Sequence, residues 1–181
     1  MANTEQSHGM RWWRHAAPVA VLLLCMVLLR AFAVQPQLIV SDSMVPTLAV
    51  GDRLVMDKLS YRFHPPCVGD IVVFKPPPAL LRSVRIPPAH SIKRVIAVSG
   101  QEVQVRDGQV LVDGQPLREP YISDSPTYTW GPARVPEDML FVLGDNRNAS
   151  ADSHVWGFLP RTYVSGKAWL RFWPVDRLGT L

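Results

Sequence analysis

Lysine is scarce in this chain and cysteine scarcer. There are four lysines (Lys58, Lys75, Lys93 and Lys167) and two cysteines in 181 residues. Cys25 lies inside an apolar run and Cys67 in the remainder, so no internal disulfide is expected to hold the fold. Cys67 has no His or Asn in a pattern that suggests a catalytic thiol, and reads as structural. Runs of Lys or Arg are missing, as is any helix-turn-helix pattern. Beyond residue 34, sixteen basic residues face fourteen acidic ones. That balance is too even to argue for nucleic acid as a partner. No His/Cys pairs match a zinc pattern, and Asp145 and Asp152 are wrongly spaced for a calcium loop of the EF-hand type. No Gly-x-Ser-x-Gly elbow surrounds any serine, which weakens a hydrolase of that fold.

A long apolar run is present, from Ala16 to Val34, interrupted only by Pro18 and Arg30. About 20 apolar residues cross a bilayer core, so residues 16–34 read as a single transmembrane helix. Arg30, near one end, can reach the interface, and Trp12 and Trp13 suit interfacial anchors. A cleaved secretory signal is the alternative, with Ala31-Phe32-Ala33 as its cleavage site. Arg30 sits immediately before that site, where such segments are uncharged, so a retained anchor is the reading adopted. Arg11 and Arg14 mark residues 1–15 as a cytoplasmic flank, which sends residues 35–181 out of the cytosol. Residues 1–14 lack a long Ser/Arg-rich extension, so a bacterial plasma membrane is expected over an imported plastid location, with a thylakoid membrane as the alternative.

After the run the pattern is mainly β. Short β-branched stretches at 53–56, 71–74, 92–98, 102–105, 110–112 and 140–143, and a longer one at 164–173, predict antiparallel strands. Asp107-Gly108 predicts a tight hairpin, because both central positions of such a turn favour positive φ. Asp113-Gly114 reads as another turn. Residues 75–90 hold five prolines and are expected to form an extended surface loop. Residues 120–136 are expected to be a second excursion, packed down by Tyr121, Tyr128 and Trp130.

Three segments carry candidate chemistry. Ser41-Asp42-Ser43-Met44-Val45-Pro46-Thr47 follows the apolar run and offers Ser43 as a nucleophile, which needs a proton acceptor. Lys93 lies in the apolar strand 92–98. Were its face inward, burial would disfavour the ammonium and draw its pKa towards neutrality, allowing it to act as a base. A lysine on a solvent face is the plain alternative. Arg94 next to it is expected to point the other way, so one of the two should be exposed. The third segment runs from Gly144 to Gly157 and is dense in Asp, Asn and Ser. It suits either a solvated loop or a buried polar network. A set of Ser, His154 and Asp152 is a weaker possibility.

Taken in order, Ser41 to Leu48, Gly51 to Lys58, Lys93 to Gly100 and Gly144 to Gly157 resemble the type I signal peptidases, membrane-bound endopeptidases with a Ser-Lys pair. The resemblance is greatest to their cyanobacterial and plastid branch, through His154 and Phe172-Trp173-Pro174. It implies Ser43 as nucleophile and Lys93 as general base. Ser41 would assist the oxyanion, Ser150 would orient the lysine amine, and Asp152 would support that loop. Met44, Pro46, Arg94, Gly144, Asp145, Asn146 and Arg147 fall on motif positions of structural weight. Asn148-Ala149 departs from the Asp-Asn of many members, and His154 from an arginine. The resemblance also implies a two-part β fold without metal or cofactor. Its substrates would be pre-proteins bearing signal peptides, cut at Ala-x-Ala-type sites near the export translocon and the lipid bilayer. A specialised Ser-Lys processing peptidase, for a pilin or a single precursor, and a non-catalytic anchored β module remain alternatives. A self-cleaving repressor shares the chemistry but has a DNA-binding half that is missing here.

Overall fold

The computed structural model describes residues 16–27, 33–83 and 88–181. The expected cytoplasmic flank and residues 28–32 of the expected span lie outside the described residues. Residues 16–27 form helix α1, whose apolar side chains Val19 to Val27 are uncovered. No helix among the described residues is long and apolar enough to cross a membrane. Val34, counted by the sequence as the last residue of the span, is instead the first residue of a strand, β1 (Val34–Leu38), paired with β2 (Arg53–Asp57).

The larger sheet continues through β3 (Ile71–Phe74), β4 (Ser91–Val98), β9 (Met139–Leu143), β10 (Leu159–Pro160), β11 (Val164–Trp173) and β12 (Gly179–Thr180). Its order is β1-β2-β11-β3-β4-β9-β10, with β12 folded back on β11. A smaller sheet holds β5 (Glu102–Arg106), β6 (Gln109–Val112), β7 (Gln115–Pro116) and β8 (Trp130–Arg134), in the order β7-β6-β5-β8. All pairings are antiparallel. Short helices α2 (Ser60–Phe63), α3 (Pro78–Ser83) and α4 (Ser153–Trp156) decorate the connections.

The alternation of apolar side chains explains the layering. Ile71 and Val73 of β3 enter one core with Met44, Leu48 and Leu54, while Val72 and Phe74 enter a second with Val95, Leu140 and Val142. Strand β9 is divided the same way, since Phe141 and Leu143 join Val103, Val105 and Val110 in a third core. The central strands are thus covered on both faces, and side chains of either parity are interior. The two Asp-Gly pairs turn as expected: Asp107 and Gly108 have φ of 52° and 74°, and Asp113 and Gly114 have 51° and 76°.

Two expectations about the excursions need correction. The excursion at 120–136 contains β8, whose Trp-Gly-Pro-Ala-Arg sequence is poor in strand formers. Gly131, at φ 77°, lets β8 close on β5, since a Cβ there would lie 2.5 Å from the carbonyl oxygen of Val103. The proline-rich stretch 75–90 is not wholly extended, as α3 begins at Pro78, where a helix's first turn tolerates proline. Cys67, read as structural, is an exposed free thiol.

Candidate active site

Ser43 is carried by a loop between β1 and β2. Its neck is tied by backbone bonds from Ile39 to Asp52 and from Gly51 to Ile39, both 2.9 Å. Met44 and Leu48 anchor the loop in the core below. The backbone amide of Val45 donates to Asp42 at 3.0 Å and that of Leu48 to Met44 at 2.9 Å, folding the segment into consecutive turns that hold Ser43 at the surface of the sheet. Ser43 is buried, whereas Ser41 and Pro46 remain exposed.

Lys93 reaches this serine from β4. It sits opposite Val72, and residues paired directly across strands share a face. That face is interior, and Lys93 is 6% exposed. Its Nζ lies 2.6 Å from Ser43 Oγ. Burial pulls the amine down to about 8, although the carboxylates of Asp152, Asp145 and Asp42 favour its protonated form. Lys93 therefore faces the serine, and His154 has another partner.

Arg94 corrects the expectation that one of the adjacent cations would be exposed. It too is buried, because the opposite face is covered and a counter-charge is supplied there. Its Nε donates to Asp145 Oδ1 at 2.8 Å and its Nη2 to Asp145 Oδ2 at 2.7 Å. The Tyr121 ring stacks on the same guanidinium, with its centroid 3.9 Å from Cζ. Thr47 Oγ1 also donates to Asp145, joining the serine loop to this pair.

The Gly144–Gly157 segment is a buried network rather than a solvated loop. The amide of Gly144 donates to Asp152 Oδ2 at 2.9 Å, and that of Val142 to Ser153 Oγ at 3.0 Å, pinning the segment to the end of β9. Asp152 Oδ1 contacts His154 Nδ1 at 2.7 Å, and Tyr128 stacks on His154 with ring centroids 3.9 Å apart. Asn146 bonds the serine loop twice, by its amide to the Ser43 carbonyl at 3.1 Å and by Nδ2 to the Asp42 carbonyl at 3.2 Å. Arg147 is fully buried and forks onto Glu119, with Nη1 2.8 Å from Oε2. Asn148 accepts from Thr127 and donates to the Ser125 carbonyl, holding down the 120–136 excursion.

Gly144 is required by space. A Cβ there would stand 2.3 Å from both the Ser43 carbonyl oxygen and Ser150 Oγ. Ser150 Oγ is buried beside it and has no hydrogen-bond partner among the described residues, so the expected bond to the Lys93 amine is not formed here. Ser41 Oγ lies 3.3 Å from Ser43 Oγ, at the mouth of the site.

A groove of about 360 Å³ leads to the serine. Its walls come from Leu38 to Met44 on one side and Ser91 to Lys93 on the other, with Leu80, Pro88, His90, Ala149 and Ala151 closing it. The lining is largely aliphatic and small. Sequence reasoning did not single out Glu119, Thr47, Ser153 or the roles of Tyr121 and Tyr128 against the site. Their partners are 28, 98, 11, 27 and 26 positions away in sequence, where no local pattern exists to reveal them.

A serine hydroxyl against a buried amine, at the head of an apolar groove, is the arrangement of a serine peptidase. The chain belongs to the signal peptidase family, peptidase S26, whose sequence profile matches residues 12–173. It is 52% identical over 153 residues to the signal peptidase I of Leptolyngbya laminosa, spanning 84% of this chain and 75% of that one. A probable signal peptidase I-1 of a Synechocystis strain is 54% identical over 162 residues, or 89% of this chain and 82% of its own. A probable thylakoidal processing peptidase 2 of Arabidopsis thaliana is 42% identical over 155 residues, or 86% of this chain and 42% of its own. A crystal structure of a signal peptidase I from Enterococcus faecalis aligns over 56% of this chain and 95% of its own, at 31% identity and a TM-score of 0.44.

Proposed function

We propose that this enzyme removes signal peptides from exported pre-proteins, cutting after Ala-x-Ala-type sequences, with Ser43 as nucleophile and Lys93 as general base. The observation that carries the reading is the 2.6 Å contact between Lys93 Nζ and Ser43 Oγ inside a desolvated site. The neutral amine takes the serine proton as Oγ attacks the scissile carbonyl. The resulting ammonium then protonates the leaving amine as the acyl-enzyme forms. Water, deprotonated by the same amine, releases the signal peptide's carboxylate and restores Ser43. Ser41, beside Ser43, is positioned to donate to the developing oxyanion. Ser150, buried beside Gly144, would orient the lysine amine only once its hydroxyl turns to it in the substrate complex, and Asp152 braces the segment that carries Ser150. The small aliphatic groove favours alanine-sized side chains on an extended substrate.

The enzyme acts at a bilayer surface. What supports this is α1, where Val19, Val21, Leu22, Leu23, Leu24, Met26 and Val27 are each between 55 and 62% exposed. An apolar helix face of that extent calls for a lipid environment. We place the helix as the start of a single N-terminal span in the plasma membrane, with the catalytic region extracytoplasmic and close to the export translocon. The test is cleavage of a detergent-solubilised precursor carrying an Ala-x-Ala site. Wild type and His154→Ala should cut after the second alanine, while Ser43→Ala and Lys93→Ala should be inactive. Full activity in Lys93→Ala would overturn the mechanism, and an inert wild type would overturn the function.

A further inference from the structure

The serine loop is held from a direction that the site chemistry does not explain. Beyond the turns that carry Ser43, the backbone carbonyls of Pro46 and Thr47 accept from two arginines near the chain's C-terminus. Arg171, on β11, donates from Nη1 to the Thr47 carbonyl at 2.6 Å. Arg177, in the 3-10 turn Val175–Arg177, donates from Nη2 to the Pro46 carbonyl at 3.2 Å and to the Thr47 carbonyl at 3.3 Å. Both guanidinium groups converge on Asp52, which is 2% exposed. Arg177 Nη1 is 2.9 Å from Asp52 Oδ1 and Arg171 Nη1 is 3.6 Å from Oδ2. Asp52 in turn accepts from the Ala49 amide at 2.9 Å, at the far end of the same loop. The arginines are also tied to each other, Arg171 Nε donating to the Arg177 carbonyl.

This is a costly arrangement for an ordinary surface turn. Two long cationic side chains are ordered and a carboxylate is buried, and the bonds go to main-chain oxygens of the loop that presents the nucleophile. Thr47 is gripped at both ends, its hydroxyl by Asp145 with Arg94 and its carbonyl by Arg171 and Arg177. We propose that Arg171 and Arg177, with Asp52 between them, are positioning residues that fix the 44–48 turn and so set the distance of Ser43 Oγ from Lys93 Nζ. The role rests on the proposed Ser43 chemistry. Neither arginine reaches the groove lining, so the effect passes through the backbone of the turn alone.

The test uses the full chain in detergent micelles. Steady-state cleavage of the Ala-x-Ala precursor and amide hydrogen exchange are measured for wild type, Arg177→Lys and the Arg171→Met/Arg177→Met double variant. The double variant is expected to lose about 10- to 100-fold in kcat with KM nearly unchanged, since a misplacement of about an ångström suffices for that loss. The amides of Val45 and Leu48 should exchange faster. Arg177→Lys keeps the charge beside Asp52 but cannot fork between carboxylate and carbonyls, so it should show the same split to a smaller degree. A folded double variant with wild-type kcat and unchanged exchange overturns the clamp. If the double variant does not fold, Arg177→Lys decides, and wild-type kcat with unchanged exchange in it is equally fatal. Wild type that cuts no precursor overturns the proposed function, and the exchange of Val45 and Leu48 then tests the clamp separately.

Discussion

Lys93 and Arg94 are neighbours on β4, and both are buried, one beside a hydroxyl and the other beside a carboxylate. Lys93 meets Ser43 Oγ at 2.6 Å, while Arg94 meets Asp145 through two bonds of 2.8 and 2.7 Å. The strand thus presents a cation of adjustable protonation to one face and a permanent cation to the other. Each has its own measurable consequence.

The pH dependence of cleavage follows from Lys93. Only the neutral amine accepts the serine proton, and burial brings it down to about 8. We expect kcat/KM to rise about tenfold per pH unit on the acid side and to level off above about pH 9. Asp152→Asn removes the foremost carboxylate favouring the ammonium and should move the acid limb to lower pH. Initial rates on a soluble peptide from pH 5 to 10 measure both. A limb moved to higher pH in Asp152→Asn contradicts the account.

Stability should depend on pH through the same side chain. Below about pH 8 the amine is protonated in the folded and unfolded chains alike, and the cost of burying it is present in full. From about 8 to 10.5 the unfolded chain keeps a proton that the folded chain has released, so stability climbs with pH. Lys93→Met should therefore be more stable than wild type at pH 7, by up to about 3 kcal/mol, and the gap should close towards pH 10.5. Urea unfolding of both chains at several pH values gives the answer, and a gap that does not vary with pH counts against it.

The Arg94–Asp145 pair should prove asymmetric. Asp145→Ala strands a buried guanidinium, which costs about 3–5 kcal/mol. Adding Arg94→Met to that variant removes the stranded charge and should recover part of the loss. A double-mutant cycle followed by thermal unfolding measures the coupling, and strictly additive losses would show that the two groups stabilise the fold independently.

Gly144 and Ser150 separate space from chemistry. Gly144→Ala drives a methyl group into the Ser43 carbonyl and should lower kcat about 100-fold by displacing the nucleophile. Ser150→Ala removes a buried hydroxyl that has no partner among the described residues, so its stability should equal or slightly exceed that of wild type. If that hydroxyl orients the lysine amine, kcat should nevertheless fall. Unfolding midpoints and kcat measured on the same preparations distinguish a lost catalytic contact from a weakened fold.

Much of the fold was legible because its signals are local. The strands at 71–74 and 164–173 fall where β-branched patterning puts them, and both Asp-Gly turns adopt the positive φ that the dipeptide favours. Strands β1 and β8 were missed because each contains proline and little β-branched sequence. Pro36 is tolerated in β1 because that strand is at the sheet's edge. Gly131 and Pro132 lie in β8, where close approach to β5 outweighs weak propensity.

The sequence by itself determined the chemical inventory: a serine turn after an apolar run, a rare lysine in an apolar strand, and a polar segment after a buried one. Local patterning and residue order carry that information. Whether Lys93 was buried or wet was a tertiary matter, decided by the cores that pack on both faces of β4, with Val95 in one and Ile96 in another. The same closure gave Arg94 its counter-charge, set Glu119 against Arg147, and brought Arg171 and Arg177 to carbonyls more than a hundred positions earlier. Such contacts depend on which strands become neighbours, and that is settled by the packing of three cores rather than by any one segment of the chain.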